Sequence, residues 1–190
     1  MVPGTTVITD LHDLHRLIGG SAAPEAGEGQ GWITKLDRKD AGMGVHKWPD
    51  LEAVLNAATF GALPLPFLVQ PFIANATDTR VIILGDYLEA YERANRGNFR
   101  ANLHFGGSSR PVTATGPMLA ICRAVMQRGG FPYAHIDLLT SPQGEIFLSE
   151  ISLRGGLRGA RITPQEYQQR LAALHATAAA HHQQPAGSRP

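Results

Sequence analysis

In the stretch AHIDLLTSPQGEIFLSEI, the acids Asp137 and Glu150 stand on either side of a turn signal, Ser141-Pro142-Gln143-Gly144, between two apolar runs. Pairing Thr140 with Glu145 across that turn sets Asp137 opposite Leu148 and Glu150 opposite His135. Side chains alternate at period two, so Asp137, Leu148, Glu150 and Ser152 share a face, with the two acids as diagonal neighbours roughly 5 to 8 Å apart. Two carboxylates beside Leu139, Ile146 and Leu148 repel each other unless a proton, a base or a cation stands between them. Hard oxygen ligands at that separation suit magnesium, which commonly takes one or two carboxylates plus substrate phosphates. The plainer reading is an edge hairpin whose acids face water.

A second hairpin is predicted at TRVIIL-GD-YLEAYER, where Gly85-Asp86 separates two β-prone runs. Pairing Leu84 with Tyr87 puts Arg80 opposite Tyr91 and makes Arg80 and Arg93 diagonal neighbours on one face. Two guanidinium groups this close ask for a polyanion, because arginine forks match phosphate oxygens and cannot shed their charge. The alternative is a pair of solvated arginines partly offset by Glu89 and Glu92.

Between the hairpins, GNFRANLHFGG (97–107) mixes three glycines with Arg100, Asn102 and His104. Nearer the N-terminus, GWITKLDRKDAGMGV reads as a strand ending at Lys35, then a loop carrying Gly42 and Gly44, then another strand. A strand-borne lysine beside a glycine-bearing hairpin can hold nucleotide phosphates, although the spacing is not that of a P-loop.

The elements that must position these groups form a mixed pattern. Helices are predicted at 10–18, 49–59, 117–128 and 164–180, the last opened by Thr163-Pro164-Gln165-Glu166 as N-cap, N1 proline and capping-box acid. Its Tyr167, Leu171 and Leu174 form an apolar face that should dock. Strands are predicted at 31–36, 44–47, 67–73, 79–84, 87–93, 134–140 and 145–151. Paired runs joined by tight turns imply antiparallel sheets and an α+β class. We divide the chain into a small subdomain at 1–66, a larger one at 67–180 and a disordered tail at 181–190, with 19–31 a flexible loop by composition.

With 190 residues the chain can bury one sizeable core or two small lobes that share a cleft. The formal net charge of +1 gives no electrostatic case for nucleic acid or an anionic membrane. No apolar run is long enough to span a membrane and no export signal opens the chain. Cys122 is the single cysteine, which excludes an internal disulfide and fits a cytoplasmic protein. It lies at helical spacing with Leu119, Val125 and Met126 and reads as a core thiol rather than a nucleophile. The eight histidines lack the spacing of a zinc site; His104 and His135 read as polar lining of a cleft, with a satisfied sheet histidine the alternative for His135.

Taken in order, Pro3-Gly4-Thr5, ITK with AGMGV, LVQPFI, DTRVIILGD, FRANLHFGG, HIDLL and FLSEI resemble the ATP-grasp superfamily in its glutathione-synthetase and α-L-glutamate-ligase branch, over roughly residues 2 to 162. The resemblance implies a fold of two subdomains enclosing a nucleotide cleft, with ATP and Mg2+ bound. It implies Lys35 at the α- and β-phosphates, with the loop from Ala41 to Val45, including Gly42 and Gly44, closing over them. Gln70, Phe72 and Ile73 would face the adenine, Arg80 and Arg100 the γ-phosphate or the acyl phosphate formed from it, with Arg93 beside them. Asn102 would sit near the phosphates and metal, and Asp137, Glu150 and Ser152 would form the metal site. Two positions depart from the family. Its Glu-x-Asn is here Glu150-Ile151-Ser152, and the following LRGGLRGARI brings Arg154, Arg158 and Arg161, which could bind an acidic substrate or simply be solvated.

The activity implied is that of an ATP-dependent carboxylate-amine ligase, working on small-molecule or peptide substrates through an acyl phosphate. Such enzymes normally carry a further N-terminal domain, so a truncated chain, a partner supplying that domain, or lost activity is expected; separately, because dimers are the commonest oligomers, a homodimer is expected. The competing readings are a catalytically impaired ATP-binding module and a kinase that stops at phosphoryl transfer.

Overall fold

Alternation along four short strands sorts the N-terminal half into a packed face and an open one. The computed structural model describes residues 1–20, 31–37, 39 and 42–183. Strands β1 (Thr6–Ile8), β2 (Trp32–Leu36), β3 (Val45–Trp48) and β4 (Phe67–Pro71) form an antiparallel sheet in the order β1-β4-β2-β3. Trp32, Phe67 and Val69 point to one side, where helices α1 (Leu11–Gly19) and α2 (Leu51–Thr59) close a core with Leu14, Leu51 and Val54. Ile33, Lys35, Leu68 and Gln70 occupy the alternate positions and line the cleft. Both helices start on an aspartate: Asp10 accepts from the Asp13 amide at 3.0 Å and Asp50 from the Ala53 amide at 2.7 Å.

The second sheet holds β5 (Thr77–Leu84), β6 (Tyr87–Ala94), β7 (Ser108–Val112), β8 (Tyr133–Thr140) and β9 (Ile146–Ser152) in the order β7-β6-β5-β8-β9. One face packs on α3 (Gly116–Gly129) through Val81, Ala90, Ile136 and Leu138. Cys122 lies in this core, and burial pushes its thiol up to about 11, as fits a structural cysteine. The other face is covered only in part, by Ile162 and by Tyr167, Leu171 and Leu174 of α4 (Pro164–Gln183), which pack on Ile82, Leu84 and Tyr91. The N-cap at Thr163 is present, its hydroxyl accepting from the Glu166 amide at 3.2 Å. Beyond Tyr91 the same face is bare and turns toward the first sheet.

The antiparallel α+β architecture is as expected, with four differences in detail. The run at 67–73 is the second strand of the first sheet, so the sheets part after Pro71 and not at residue 66. Strands β1 and β7, each short, were not expected, nor was the 3-10 turn Leu103–Phe105. Helix α4 runs through His181 to Gln183, into the stretch assigned to the tail; residues 184–190 and most of the 19–31 loop lie outside the described residues. Among the described residues no helix is long and apolar enough to cross a membrane.

The fourth difference concerns the two hairpins. In β5–β6 the register is the expected one, Leu84 facing Tyr87 and Arg80 facing Tyr91. In β8–β9 it is not. Ser141 closes the turn itself, its amide donating to the Glu145 carbonyl at 2.8 Å and its hydroxyl accepting from the Glu145 amide at 3.2 Å, so Thr140 faces Ile146. A β-bulge at Ser149 then shifts the ladder again, and Asp137 faces Glu150 directly. Ile146 and Leu148 consequently lie on the α3 side, not beside the acids.

Candidate functional site

The bare end of the second sheet and the open face of the first enclose a cleft of about 1740 Å3. Its floor is an ion-pair network built by β5, β6 and β8. Arg80 grips Asp137 with both arms, Nε to Oδ1 at 2.7 Å and Nη2 to Oδ2 at 2.8 Å. Arg93 reaches the same Oδ2 at 2.8 Å and donates from Nε to Asp78 Oδ1 at 2.6 Å. The expected pair of arginines therefore meets its polyanion inside the chain, as two aspartates. Asp78 was missed, although the register that faces Arg80 with Tyr91 also faces Asp78 with Arg93. Burial alone would raise the Asp137 carboxyl, but the hydrogen bonds and charge of Arg80, backed by Arg93, hold it below the ordinary aspartate value. Asp78 goes the other way, raised by burial despite Arg93.

Glu150 stands across the strand from Asp137, open to the cleft and accepting no hydrogen bond among the described residues. Burial of its surroundings and the Asp137 charge raise its carboxyl above the usual glutamate range, against the pull of Arg80 and Lys35. Lys35 extends from β2 and donates to the Ser149 carbonyl at 3.2 Å and hydroxyl at 3.3 Å. Burial lowers its ammonium, opposed by Glu150, Asp137 and Asp78. Ser152 also lines the cleft, its hydroxyl accepting from the Arg154 amide at 3.2 Å.

The roof is the loop 95–105 folded onto the β2–β3 hairpin. Arg100 donates from Nε to the Gly42 carbonyl at 3.1 Å and from Nη2 to the Val45 carbonyl, with its guanidinium 4.3 Å from the Phe99 ring centre. Its donors are thus turned on backbone of the glycine loop. Gly42 has φ of 75°, and a side chain there would run into the Asn102 side chain, whose Oδ1 accepts from the Phe105 amide at 3.2 Å. Gly44 is hemmed by Leu36 and Lys39; Ala41 lies outside the described residues. Gln70, Phe72 and Ile73 also line the cleft, where Phe72 meets Phe99 of the roof edge-on at 6.4 Å and Lys47 lies 3.8 Å over the Phe72 ring. All the residues singled out from the sequence as site residues therefore border one cleft. So do His104, Arg154 and Arg158, while Arg161 instead holds the buried Glu89, its amide donating at 3.0 Å. His135 is buried under α4, its Nε2 3.0 Å from the Tyr167 hydroxyl.

This arrangement agrees with what the chain is similar to. The RimK-like ATP-grasp domain matches residues 35–172. The chain belongs to that family. A probable alpha-L-glutamate ligase of Sodalis glossinidius (strain morsitans) is 32% identical over 157 residues, 79% of this chain and 49% of that protein. Another from Serratia proteamaculans (strain 568) is 32% identical over 161 residues, 81% and 50% of the two chains. The chain thus spans about half the length of the curated relatives it matches. Among solved ATP-grasp structures, D-cycloserine synthetase DcsG superposes with a TM-score of 0.66 at 16% identity over 90% of this chain and 64% of its own. D-alanyl-alanine synthetase A from Vibrio cholerae O1 biovar eltor gives 0.63 at 16% over 91% and 59%. ATP-grasp ligase PsnB, solved with a phosphomimetic precursor variant, Mg and ADP, gives 0.61 at 17% over 92% and 54%.

The donor set of this ATP-grasp cleft suits magnesium. It offers two carboxylates and a hydroxyl, all oxygen. Three guanidinium N–H groups occupy part of Asp137, leaving room for one further contact on a carboxylate with about four lone-pair directions. Among the described residues, both Glu150 oxygens stay open.

Proposed function

We propose that this chain is the nucleotide- and metal-binding part of an ATP-dependent carboxylate-amine ligase. The observation that carries the reading is the directly opposed Asp137 and Glu150, set beside Arg80 and Lys35 on the floor of a cleft between two antiparallel sheets. Magnesium held by Asp137 and Glu150 would neutralise charge on the phosphate oxygens. Lys35 addresses the α- and β-phosphates with the Gly42–Gly44 turn above them, and Gln70, Phe72 and Ile73 border the adenine.

Arg80, with Arg93 fixing Asp137 behind it, stabilises the phosphoryl group as a substrate carboxylate oxygen attacks the γ-phosphorus and ADP leaves. The amine then attacks the acyl carbon, phosphate departs, and an amide remains. Arg100 and Asn102 close the roof against water, which would otherwise hydrolyse the acyl phosphate. The residues supply position and electrostatics, which is how phosphoryl transfer is generally accelerated. Relatives named as alpha-L-glutamate ligases point to glutamate as one substrate. Neighbours solved with precursor peptides make a peptide the natural alternative.

The test is ADP release from Mg-ATP with paired panels of carboxylates and amines, L-glutamate among the amines. Release that needs both, with a hydroxamate formed when hydroxylamine replaces the amine, supports the ligase. Release without an amine and without hydroxamate indicates a kinase. Binding without turnover supports a second reading, an ATP-binding module that depends on another domain or subunit. Ser152 favours that second reading, since its hydroxyl stands where the family has an asparagine carbonyl and already accepts from Arg154.

A further inference from the structure

The bulge at Ser149 has two effects that arise from one extra residue. In a continuous ladder running back from Leu138 and Leu148, Ser149 would face Asp137 and Glu150 would turn to the α3 side. Because Ser149 is instead looped out, Glu150 faces Asp137 and stays in the cleft. The looped-out residue has no cross-strand partner, and a bulge leaves such a residue's carbonyl outside the regular ladder. That carbonyl and the Ser149 hydroxyl are the two acceptors that Lys35 reaches from the other sheet, at 3.2 and 3.3 Å. An ammonium group has three donors. Both contacts go to Ser149, and Lys35 has no other hydrogen-bond partner among the described residues.

We propose that Ser149 is a positioning residue, which holds the Lys35 ammonium from across the cleft so that its remaining donor and its charge face the nucleotide phosphates. The assignment rests on the nucleotide-binding reading above. It follows from the geometry that a flexible four-carbon stem, left alone, spreads its charge over many rotamers. Pinned at two points, it presents one direction. The carbonyl contact survives any substitution at 149, whereas the hydroxyl contact is specific to serine or threonine.

Three variants separate this role from a general packing role. Ser149→Ala removes one acceptor and should weaken Mg-ATP binding, measured by calorimetry, about fivefold, with the melting temperature lowered by a few degrees at most; one hydrogen bond near 1 kcal/mol corresponds to that factor. Ser149→Thr should restore it. Deleting Ser149 leaves Glu150 facing Asp137 in a continuous ladder and should weaken binding at least as much as the alanine variant. In a Lys35→Met background, Ser149→Ala should have no further effect; a fivefold loss that persists there overturns the proposal. A nucleotide-independent measurement covers the case in which the wild type binds no Mg-ATP, which would sink the functional reading instead. In 13C- and 15N-labelled protein, the Lys35 side-chain signal, identified by its loss in Lys35→Met, should lose its distinct shift in Ser149→Ala. An unchanged Lys35 signal overturns the proposal.

Discussion

The hairpins β5–β6 and β8–β9 flank the same line of contact, β5 against β8, yet they are built differently. The first is regular from its Gly85-Asp86 turn to Arg93 and contributes the buried Arg93 and the partly buried Arg80. The second is closed by a serine-held turn, broken by a bulge, and contributes both carboxylates of the proposed metal site. Regular pairing delivers side chains at fixed diagonal spacing, which suits two long arginines that can reach over a neighbour. Short acids need to meet face to face, and the bulge brings them opposite each other.

Removing Asp137 breaks that comparison most directly, because both guanidiniums of the regular hairpin end on it. Asp137→Asn leaves the buried Arg93 and the partly buried Arg80 facing a neutral amide and should cost about 3 kcal/mol of stability in urea unfolding. Its Mg-ATP affinity should fall as well. A loss under 1 kcal/mol would mean that Asp78 alone balances both arginines.

The bulged hairpin also carries His135, whose ring burial lowers to about 4 from an ordinary 6.5, with Arg80 adding to the effect. The unfolded chain takes up a proton near pH 6.5 that the folded chain refuses until about 4, so stability is lost as pH falls through that window. The loss should be on the order of 2 to 3 kcal/mol. His135→Gln, though less stable, should show a flatter melting temperature between those pH values.

Glu150→Gln should weaken Mg-ATP binding about tenfold, near 1.4 kcal/mol, and leave urea stability almost unchanged, in contrast to Asp137→Asn. In the wild type, acidification should weaken Mg-ATP binding, since the raised Glu150 carboxyl takes a proton at a higher pH than an ordinary glutamate. Binding to Glu150→Gln should lose that acidic limb.

The smallest effects lie in the turns. Gly85 and Gly144 have φ of 60° and 86°. A β-carbon at Gly85 would also come within 3.1 Å of Leu174, while Gly144 has nothing within 4 Å. Alanine at Gly144 should cost about 1 kcal/mol of backbone strain and alanine at Gly85 somewhat more, a difference of a few degrees at most in melting temperature.

The same contrast explains what could be read before the structure. The β5–β6 register was legible because a two-residue turn leaves one way to pair. The β8–β9 register was not, since a bulge has no local composition signal and a serine can close a turn or begin one. The shared face of Asp137 and Glu150 survived this error, because the slip amounted to two residues, which preserves the side of the sheet, although the two acids were expected as diagonal neighbours and not opposite each other. The run that forms β4 was placed with the larger subdomain, although it pairs in the first sheet, for a related reason: its apolar character marks a strand, while its partners β1 and β2 are distant in sequence. Arg100 was expected to aim at phosphate, and nothing in FRANLHFGG announces that carbonyls of Gly42 and Val45 would reach it first.

The chain passes from the first sheet to the second once, between Phe72 and Ala76, where Asn75 adopts φ of 56°. A swing of one lobe against the other is therefore a rotation about a few backbone dihedrals, with the reach from Lys35 to Ser149 and the grip of Arg100 on Gly42 acting as catches at the far end of the lever. Opening has to release both catches, so the rate at which nucleotide enters and leaves should answer to residues that need not touch the nucleotide.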